Sequence, residues 1–485
     1  MVFLRFFSEN SLFGKELWRT EALISGLGTL VGSLHALLWG PGMLLLLGGT
    51  GVFLSIRCGF PQLRHPRRVL RETAGSMLRR KKNGGDGALS PFQALSTALA
   101  GTVGTGNVAG VTGAILLGGP GAVFWMWVAA FFGMATKYAE IALAVRYRVR
   151  DEAGRPRGGP MFVIERGLGA KFRPLALCFA FFGALAGFGI GNLAQSCEIA
   201  AAARELFHAP PLLTGLALSL FTAGVLFGGL SRVGRLTGLL VPLMTGLYLL
   251  CTLPVLILHA SELPGLLRLI LRSAFGLRAV GGGAFGWSMR AALRQGFARG
   301  LFSNEAGLGS APMAHAAAPG TPGEQGCWGV LEVLIDSFVV CTLTALVVLL
   351  SGIWRDGTAA SFASPGAAAA EAFRRTVPFP AGGQTVTLCL LFFALSSIVG
   401  WGWYGELCWR YLFRGGASTT LYRLIFALVC LPGALGSGAL LWAIADALNA
   451  LMALPNLVSL LLLSGTAAGV CRDYFAVPGK ETPRS

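Results

Sequence analysis

Ser90-Pro91-Phe92-Gln93-Ala94-Leu95-Ser96-Thr97-Ala98-Leu99-Ala100-Gly101-Thr102-Val103-Gly104-Thr105-Gly106-Asn107-Val108-Ala109-Gly110 is the stretch on which the fold turns. It begins as an apolar run long enough to head a membrane span, yet Thr102 to Asn107 break it with hydroxyls, glycines and an amide. Glycine costs a helix about 1 kcal/mol relative to alanine, so Gly104 and Gly106 around Thr105 invite an unwound segment. Main-chain groups freed at membrane depth cannot face lipid; they must line a polar hollow enclosed by protein, or bind something. Gly106 with Gly110 also fits a GxxxG packing face between helices. A dinucleotide-binding loop needs G-x-G-x-x-G after a strand, and neither the spacing nor the setting matches.

The rest of the chain has the same character. Of 485 residues, 54% are apolar and only 13% charged, so a soluble globule is not expected. Apolar runs of roughly 18 residues or more recur about eleven times. They lie near residues 36–56, 91–112, 118–145, 174–203, 211–228, 236–258, 285–317, 327–353, 384–410, 420–447 and 453–471. The expected fold is therefore all-α and integral to the membrane. The net charge of +17 does not indicate nucleic-acid binding, because the basic residues fall between apolar spans and not along one polar face. Arg64, Arg67, Arg68, Arg71, Arg79, Arg80 and Lys81 mark the segment after the first span as cytoplasmic. If the spans alternate from there, cytoplasmic segments collect roughly 25 of the 39 basic residues, which puts the N-terminus outside and the C-terminus inside. No cleavable leader is expected, since Glu9, Lys15, Glu16, Arg19 and Glu21 interrupt any short apolar core.

A second segment, Phe302-Ser303-Asn304-Glu305-Ala306-Gly307-Leu308-Gly309-Ser310-Ala311-Pro312, is denser in polar and helix-breaking residues than an ordinary span tolerates. Asn304-Glu305-Ala306-Gly307 echoes Asn107-Val108-Ala109-Gly110 as N-x-A-G, and each copy opens a run of five spans. Five is odd, so the two halves have opposite topology: an inverted repeat preceded by one extra helix. The expected division is an external segment 1–35, the extra helix and basic loop 36–90, repeats over 91–260 and 285–471, an external connection 261–284 and a cytoplasmic tail 472–485. Where a spanning helix breaks, the amide end of one half suits a carboxylate and the carbonyl end of the other suits a cation. A zwitterionic amino acid needs both.

Gln195 either contacts a solute or bridges helices. Ser397 and Trp401 stand one turn apart and can share a face with Ser396; the alternative is serines bonded back to their own helix and an interfacial indole. Lys137 reads as half of a structural ion pair with Glu140 or Asp336, the alternative being a backbone carbonyl. Asp336, Glu406 and Asp446 are carboxylates within or beside spans. Ten cysteines without a C-x-x-C pair and five dispersed histidines suggest neither a transition-metal nor a redox site. A membrane-embedded enzyme would need a histidine cluster, a serine elbow or paired aspartates, and none is present.

Taken together, Ser90 to Leu99, Thr102 to Gly110, Gly118-Gly119-Pro120-Gly121-Ala122, Phe124-Trp125-Met126-Trp127 and Ala135-Thr136-Lys137-Tyr138-Ala139-Glu140 resemble the alanine or glycine:cation symporter family. Gly158-Gly159-Pro160-Met161, Phe302 to Pro312, Gly400-Trp401, Tyr404-Gly405-Glu406 and Met452 to Leu457 extend the resemblance over nearly all of the chain after about residue 35. It implies a leucine-transporter-like fold in a prokaryotic plasma membrane, with alternating-access uptake of alanine or glycine driven by sodium and no other cofactor. By motif, substrate would meet Thr102, Gly104, Thr105, Gly106, Asn107, Gln195, Phe302, Ser303, Ser397 and Trp401. Sodium would meet main-chain oxygens near Val103 and Gly106 and the hydroxyls of Ser396 and Ser397. Phe302 and Trp401 would restrict the solute to a small side chain. Two positions depart from the expected pattern: Ser397 stands in place of threonine, and Glu198 puts a carboxylate one turn beyond Gln195, raising proton coupling as the alternative. A passive channel or a non-transporting receptor is separated from a symporter by concentrative uptake.

Overall fold

A long apolar run surrounded by lipid can satisfy its main chain only internally, and this chain does so with helices. The computed structural model describes residues 32–33, 37–78, 89–152, 154–275, 289–355, 362, 364–377, 382–413, 416–436 and 438–477. In order they form α1 Pro41–Cys58, the pair α2 Pro91–Thr102 and α3 Gly106–Gly118, α4 Gly121–Arg146, α5 Ala170–Phe207, α6 Pro211–Leu226 and α7 Gly229–Leu258. There follow α8 Leu263–Ala274, α9 Met289–Asn304, α10 Ala311–Ala316, α11 Pro322–Ser351, α12 Pro365–Thr376, α13 Gly382–Leu412, α14 Gly416–Leu435, α15 Gly438–Leu462 and α16 Ser464–Ala476.

Among the described residues eight helices are long and apolar enough to cross a bilayer, or nine when α2 and α3, bent by 50°, are taken as one. The sequence reading of about eleven spans also included α6, which is shorter, and the stretch near 285–317, which is two helices, α9 and α10, around a loop. The expected spans near 420–447 and 453–471 divide differently. α14 stops at Leu435 beside Gly436, and α15 then runs through residues that the apolar count had split between two spans. A further departure from pure helix is a two-residue-per-strand hairpin, β1 Val149–Arg150 with β2 Pro156–Arg157, in the polar connection after α4.

Burial separates the centre of the bundle from its rim. The spanning window of α4 is 83% buried and that of α13 72%, whereas α1, α7 and α14 are each at 39% and turn leucines such as Leu239, Leu250 and Leu428 outward. The sequence of α4 explains its place: alanines and glycines on several faces let α9 and α11 approach closely. A methyl on Gly300 would come within 3.1 Å of the Met126 backbone, and one on Gly329 within 3.2 Å of the Lys137 carbonyl. The start of α2 is set by a capping box. Ser90 Oγ accepts the Gln93 amide at 3.1 Å, and Gln93 Oε1 accepts the Ser90 amide at 2.9 Å.

Candidate functional site

α2 ends because its main chain turns away at Val103, whose ψ of 91° is extended while its own N–H still reaches Leu99 at 2.7 Å. The next amide, that of Gly104, donates not to a helical carbonyl but to Asn107 Oδ1 at 2.8 Å. The chain resumes as a wide π turn, Gly106–Gly110, before α3 tightens. Glycine at 104 makes room for α13, since a β-carbon there would stand 2.9 Å from Ser397 Oγ.

The second break opens after Asn304. Glu305 adopts φ 53°, a left-handed conformation uncommon for a branchless acidic side chain, and Gly307 and Gly309 follow at 95° and 87°. Side chains hold the strained turn in place. The Ala306 amide donates to Asn304 Oδ1 at 3.0 Å, Trp401 Nε1 donates to Glu305 Oε1 at 3.2 Å, and the Ser310 hydroxyl donates to Glu305 Oε2. Asn456 Nδ2 donates to the Gly307 carbonyl at 2.9 Å.

The two asparagines of the N-x-A-G echo do the same work. Each gives its amide oxygen to a main-chain N–H in its own break, and each turns its nitrogen toward one spot on α11. Asn107 Nδ2 donates to Asp336 Oδ1 at 2.6 Å, and Asn304 Nδ2 donates to Ser337 Oγ at 3.2 Å. The Ser303 and Ser337 hydroxyls donate to Asp336 Oδ2 at 3.0 and 2.9 Å. This spot lies within a second wide turn, Leu334–Cys341, where α11 opens to let the Asp336 carboxylate reach both broken helices.

Between the breaks lies a small, partly open cavity. Its wall includes Thr102, Gly104, Thr105, Gly106, Gln195, Phe302, Ser303 and Ser397, so most of the residues expected to meet substrate come together. Gln195 is fixed by its neighbours, accepting from Thr105 Oγ1 at 3.3 Å and donating to the Ile190 carbonyl at 3.1 Å. Asn107 and Trp401 stand behind the wall, the first turned to Asp336 and the second buried against Gly191 and tied to Glu305. Val103 and Ser396 also lie outside it, and Ser396 Oγ donates to the Phe393 carbonyl at 2.9 Å. Ser397 Oγ donates to the same carbonyl at 3.0 Å while still reaching the wall.

The wall contains groups that sequence reasoning did not place there: Gly101, Ile190, Glu305 and Trp442. Glu305 was legible as a carboxylate in a broken span; the indole of Trp442 carried no local signal. Trp442 Nε1 donates to Glu198 Oε1 at 2.9 Å, so the unusual Glu198 touches the cavity through an intermediary. Phe302 sits between two indoles, with ring centroids 6.3 Å from Trp39 and 6.0 Å from Trp442, which brings the segment before α1 to the site.

On the other side of Glu305 a charged cluster is sealed inside the bundle. Lys137 pairs not with Glu140 or Asp336 but with Glu332, at 3.2 Å with both side chains fully buried. Sequence distance concealed this partner, one helix away on α11. His315 Nδ1 lies 2.9 Å from Gln325 Oε1, and Glu140 accepts from Asn456 Nδ2. Glu406 is a structural carboxylate, gripped at 2.8 and 2.7 Å by the two-pronged guanidinium of Arg423.

The sequence profile of the sodium:alanine symporter family matches residues 25–484. The sodium/alanine symporter AgcS of Methanococcus maripaludis is 46% identical over 458 residues, 93% of this chain and 98% of that protein. The amino-acid carrier protein AlsT of Bacillus subtilis is 36% identical over 433 residues, 88% of each chain. Among solved structures, a manganese transporter of Eremococcus coleocola in complex with an aromatic bis-isothiourea substituted compound superposes with a TM-score of 0.52 at 13% identity. The match covers 81% of this chain and 88% of that one, a likeness of fold alone.

Proposed function

The chain belongs to the sodium:alanine symporter family, and from that premise we propose that it takes up alanine or glycine with sodium by alternating access. It is a transporter and not an enzyme. The observation that carries the reading is the cavity itself: small, and bounded by two interrupted helices. The carboxylate of the solute would meet the amide end of α3 at Thr105 and Gly106, with Gln195 beside it. Its side chain would face Phe302, where bulk beyond a methyl has little room. Sodium would lie between the α2 break and α13, on the Val103 and Gly106 carbonyls and the Ser396 and Ser397 hydroxyls. Both hydroxyls donate back to Phe393, which leaves their lone pairs to face a cation.

The inverted five-helix repeat over 91–260 and 285–471 belongs to the same proposal, supported by the matching work of Asn107 and Asn304 in their breaks. So does the orientation with the N-terminus outside and the C-terminus inside, in a prokaryotic plasma membrane. Energetically a single sodium suffices. An inward charge gains about 2.3 kcal/mol per 100 mV, and a tenfold gradient adds about 1.4, enough for several-hundred-fold accumulation of a neutral zwitterion.

The test is uptake of radiolabelled alanine and glycine into proteoliposomes under an imposed sodium, potassium or proton gradient. Accumulation above equilibrium with sodium alone is the expected result, and flux that only equilibrates would identify a channel. One observation favours a second reading, proton coupling: the Glu305 carboxylate lines the cavity and has Trp401 and Ser310, not a cation, as its hydrogen-bond donors. Uptake driven only by the proton gradient would establish that reading in place of sodium.

A further inference from the structure

α1 ends at Cys58 with Gly59 in the left-handed conformation, and the chain folds back along the edge of the bundle as two short helices, Pro61–Arg64 and Pro66–Glu72. The second is anchored from one side. Arg68 Nη1 donates to the Phe475 and Val477 carbonyls at 3.3 and 2.6 Å, and its guanidinium lies over the Tyr474 ring at 4.5 Å. Its other face roofs an open groove with about 640 Å³ of empty space. Val69 and Leu70 form the roof, Phe131 and Met134 of α4 one wall, and Leu334 and Phe338 of α11 the other.

Three features narrow what the groove can hold. It runs along α11 from Val330 to Phe338, eight residues or about 12 Å of helix, so it penetrates the bilayer and does not skirt its surface. Gln62 is the single polar residue of its lining; its amide nitrogen is committed to the Phe131 carbonyl at 3.3 Å, and its oxygen is the one acceptor left open there. A peptide segment inserted there would bury main-chain N–H and C=O groups with at most that one partner, whereas hydrocarbon has none to satisfy. On the same two short helices, outside the groove's lining, Arg64, Arg67 and Arg71 are exposed, with Glu72 at 3.3 Å from Arg71. Burial first, and then the charges of Arg68 and Arg64, hold the neighbouring His65 imidazole below its ordinary value. Basic residues just beyond a span attract anionic headgroups.

We propose that this groove seats an acyl chain of one anionic phospholipid, with its phosphate held by Arg64, Arg67 and Arg71. The inference is independent of the transported solute.

The test uses the full chain in mild detergent, mixed with equal amounts of phosphatidylglycerol, phosphatidylethanolamine and phosphatidylcholine of matched acyl chains, with retained lipid counted by native mass spectrometry. One phosphatidylglycerol is expected to be retained several-fold over the other two. The exposed double variant Arg67→Ala with Arg71→Ala is expected to fold as the parent does and to lose that preference. Leu334→Trp, which fills the groove, is expected to lose the retained lipid of any headgroup. Equal retention of all three lipids by the parent, or an unchanged preference in the arginine variant, overturns the proposal. So does a chain lacking residues 1–31 that retains a lipid the full chain does not, since the groove's occupant would then be the protein's own N-terminal segment.

Discussion

Gly104 shows how narrowly single positions are constrained at the breaks. Its missing β-carbon leaves the 2.9 Å that Ser397 Oγ occupies, so Gly104→Ala must push that hydroxyl out of the cavity wall. We expect the variant to keep its fold and to bind alanine about tenfold more weakly, a loss of about 1.4 kcal/mol, read by binding in detergent beside a thermal melt. Asp336 is constrained differently, as the acceptor for Asn107, Ser303 and Ser337. Asp336→Asn puts an NH₂ where two or three donors converge, and leaving buried donors unpaired costs about 1–3 kcal/mol each. Uptake should fall to background while a lowered melting temperature still reports a folded protein. Wild-type uptake would remove Asp336 from the anchoring role. Gly104 could be read from the sequence as a helix breaker. Asp336 could be read as an intramembrane carboxylate, but its partners Asn107 and Ser303 could not, because they come from two other helices.

Among the elements, the broken helices were the most legible part of the chain. Glycine flanking threonine at 104–106, and Gly307, Gly309 and Pro312 within one short stretch, announce interruptions by backbone physics alone. The wide turns at Gly106–Gly110 and Leu334–Cys341 were not legible, since an extra residue per turn leaves no mark on composition and arises from tertiary packing. Nor was the hairpin of β1 and β2. There Asp151 accepts from the Arg155 amide at 2.8 Å and pairs with Arg157 at 2.6 Å. Burial alone would push its carboxyl up; the Arg155 N–H and the Arg157 and Arg155 charges outweigh burial and hold it below the ordinary aspartate value. The stabilisation it lends is therefore complete above that ordinary value and is lost as the pH falls through the lower folded one. Protection of the amides of residues 149–152 and 154–157, taken relative to intrinsic exchange at each pH, should fall selectively on acidification to about pH 3, and unchanged protection would deny Asp151 that part.

For the whole molecule, the outward leucines and the predominance of helix followed from the apolar fraction, but the order of helices around α4 did not. The reason is visible at Lys137 and Glu332, two residues far apart in the chain that meet at 3.2 Å in the centre of the bundle. Removing one partner of such a pair strands a charge and costs about 3–5 kcal/mol, while replacing both by apolar groups of similar size is often neutral. Lys137→Met alone should lower the melting temperature sharply, and Lys137→Met with Glu332→Met should recover much of the loss. Equal melts for the single and double variants would show that the pair contributes nothing through its charge.

The shared carboxylate has a mechanical consequence. Because Asn107, Ser303 and, through Ser337, Asn304 are all fastened to one point on α11, neither interrupted helix can swing away without tearing bonds buried far from water. α3, α9 and α11 are thereby clamped into one unit. α13 joins that unit through Trp401 to Glu305 and Tyr404 to the Thr97 carbonyl, whereas its Ser396 and Ser397 hydroxyls turn back on their own helix and leave that face free of cross-helix bonds to the breaks.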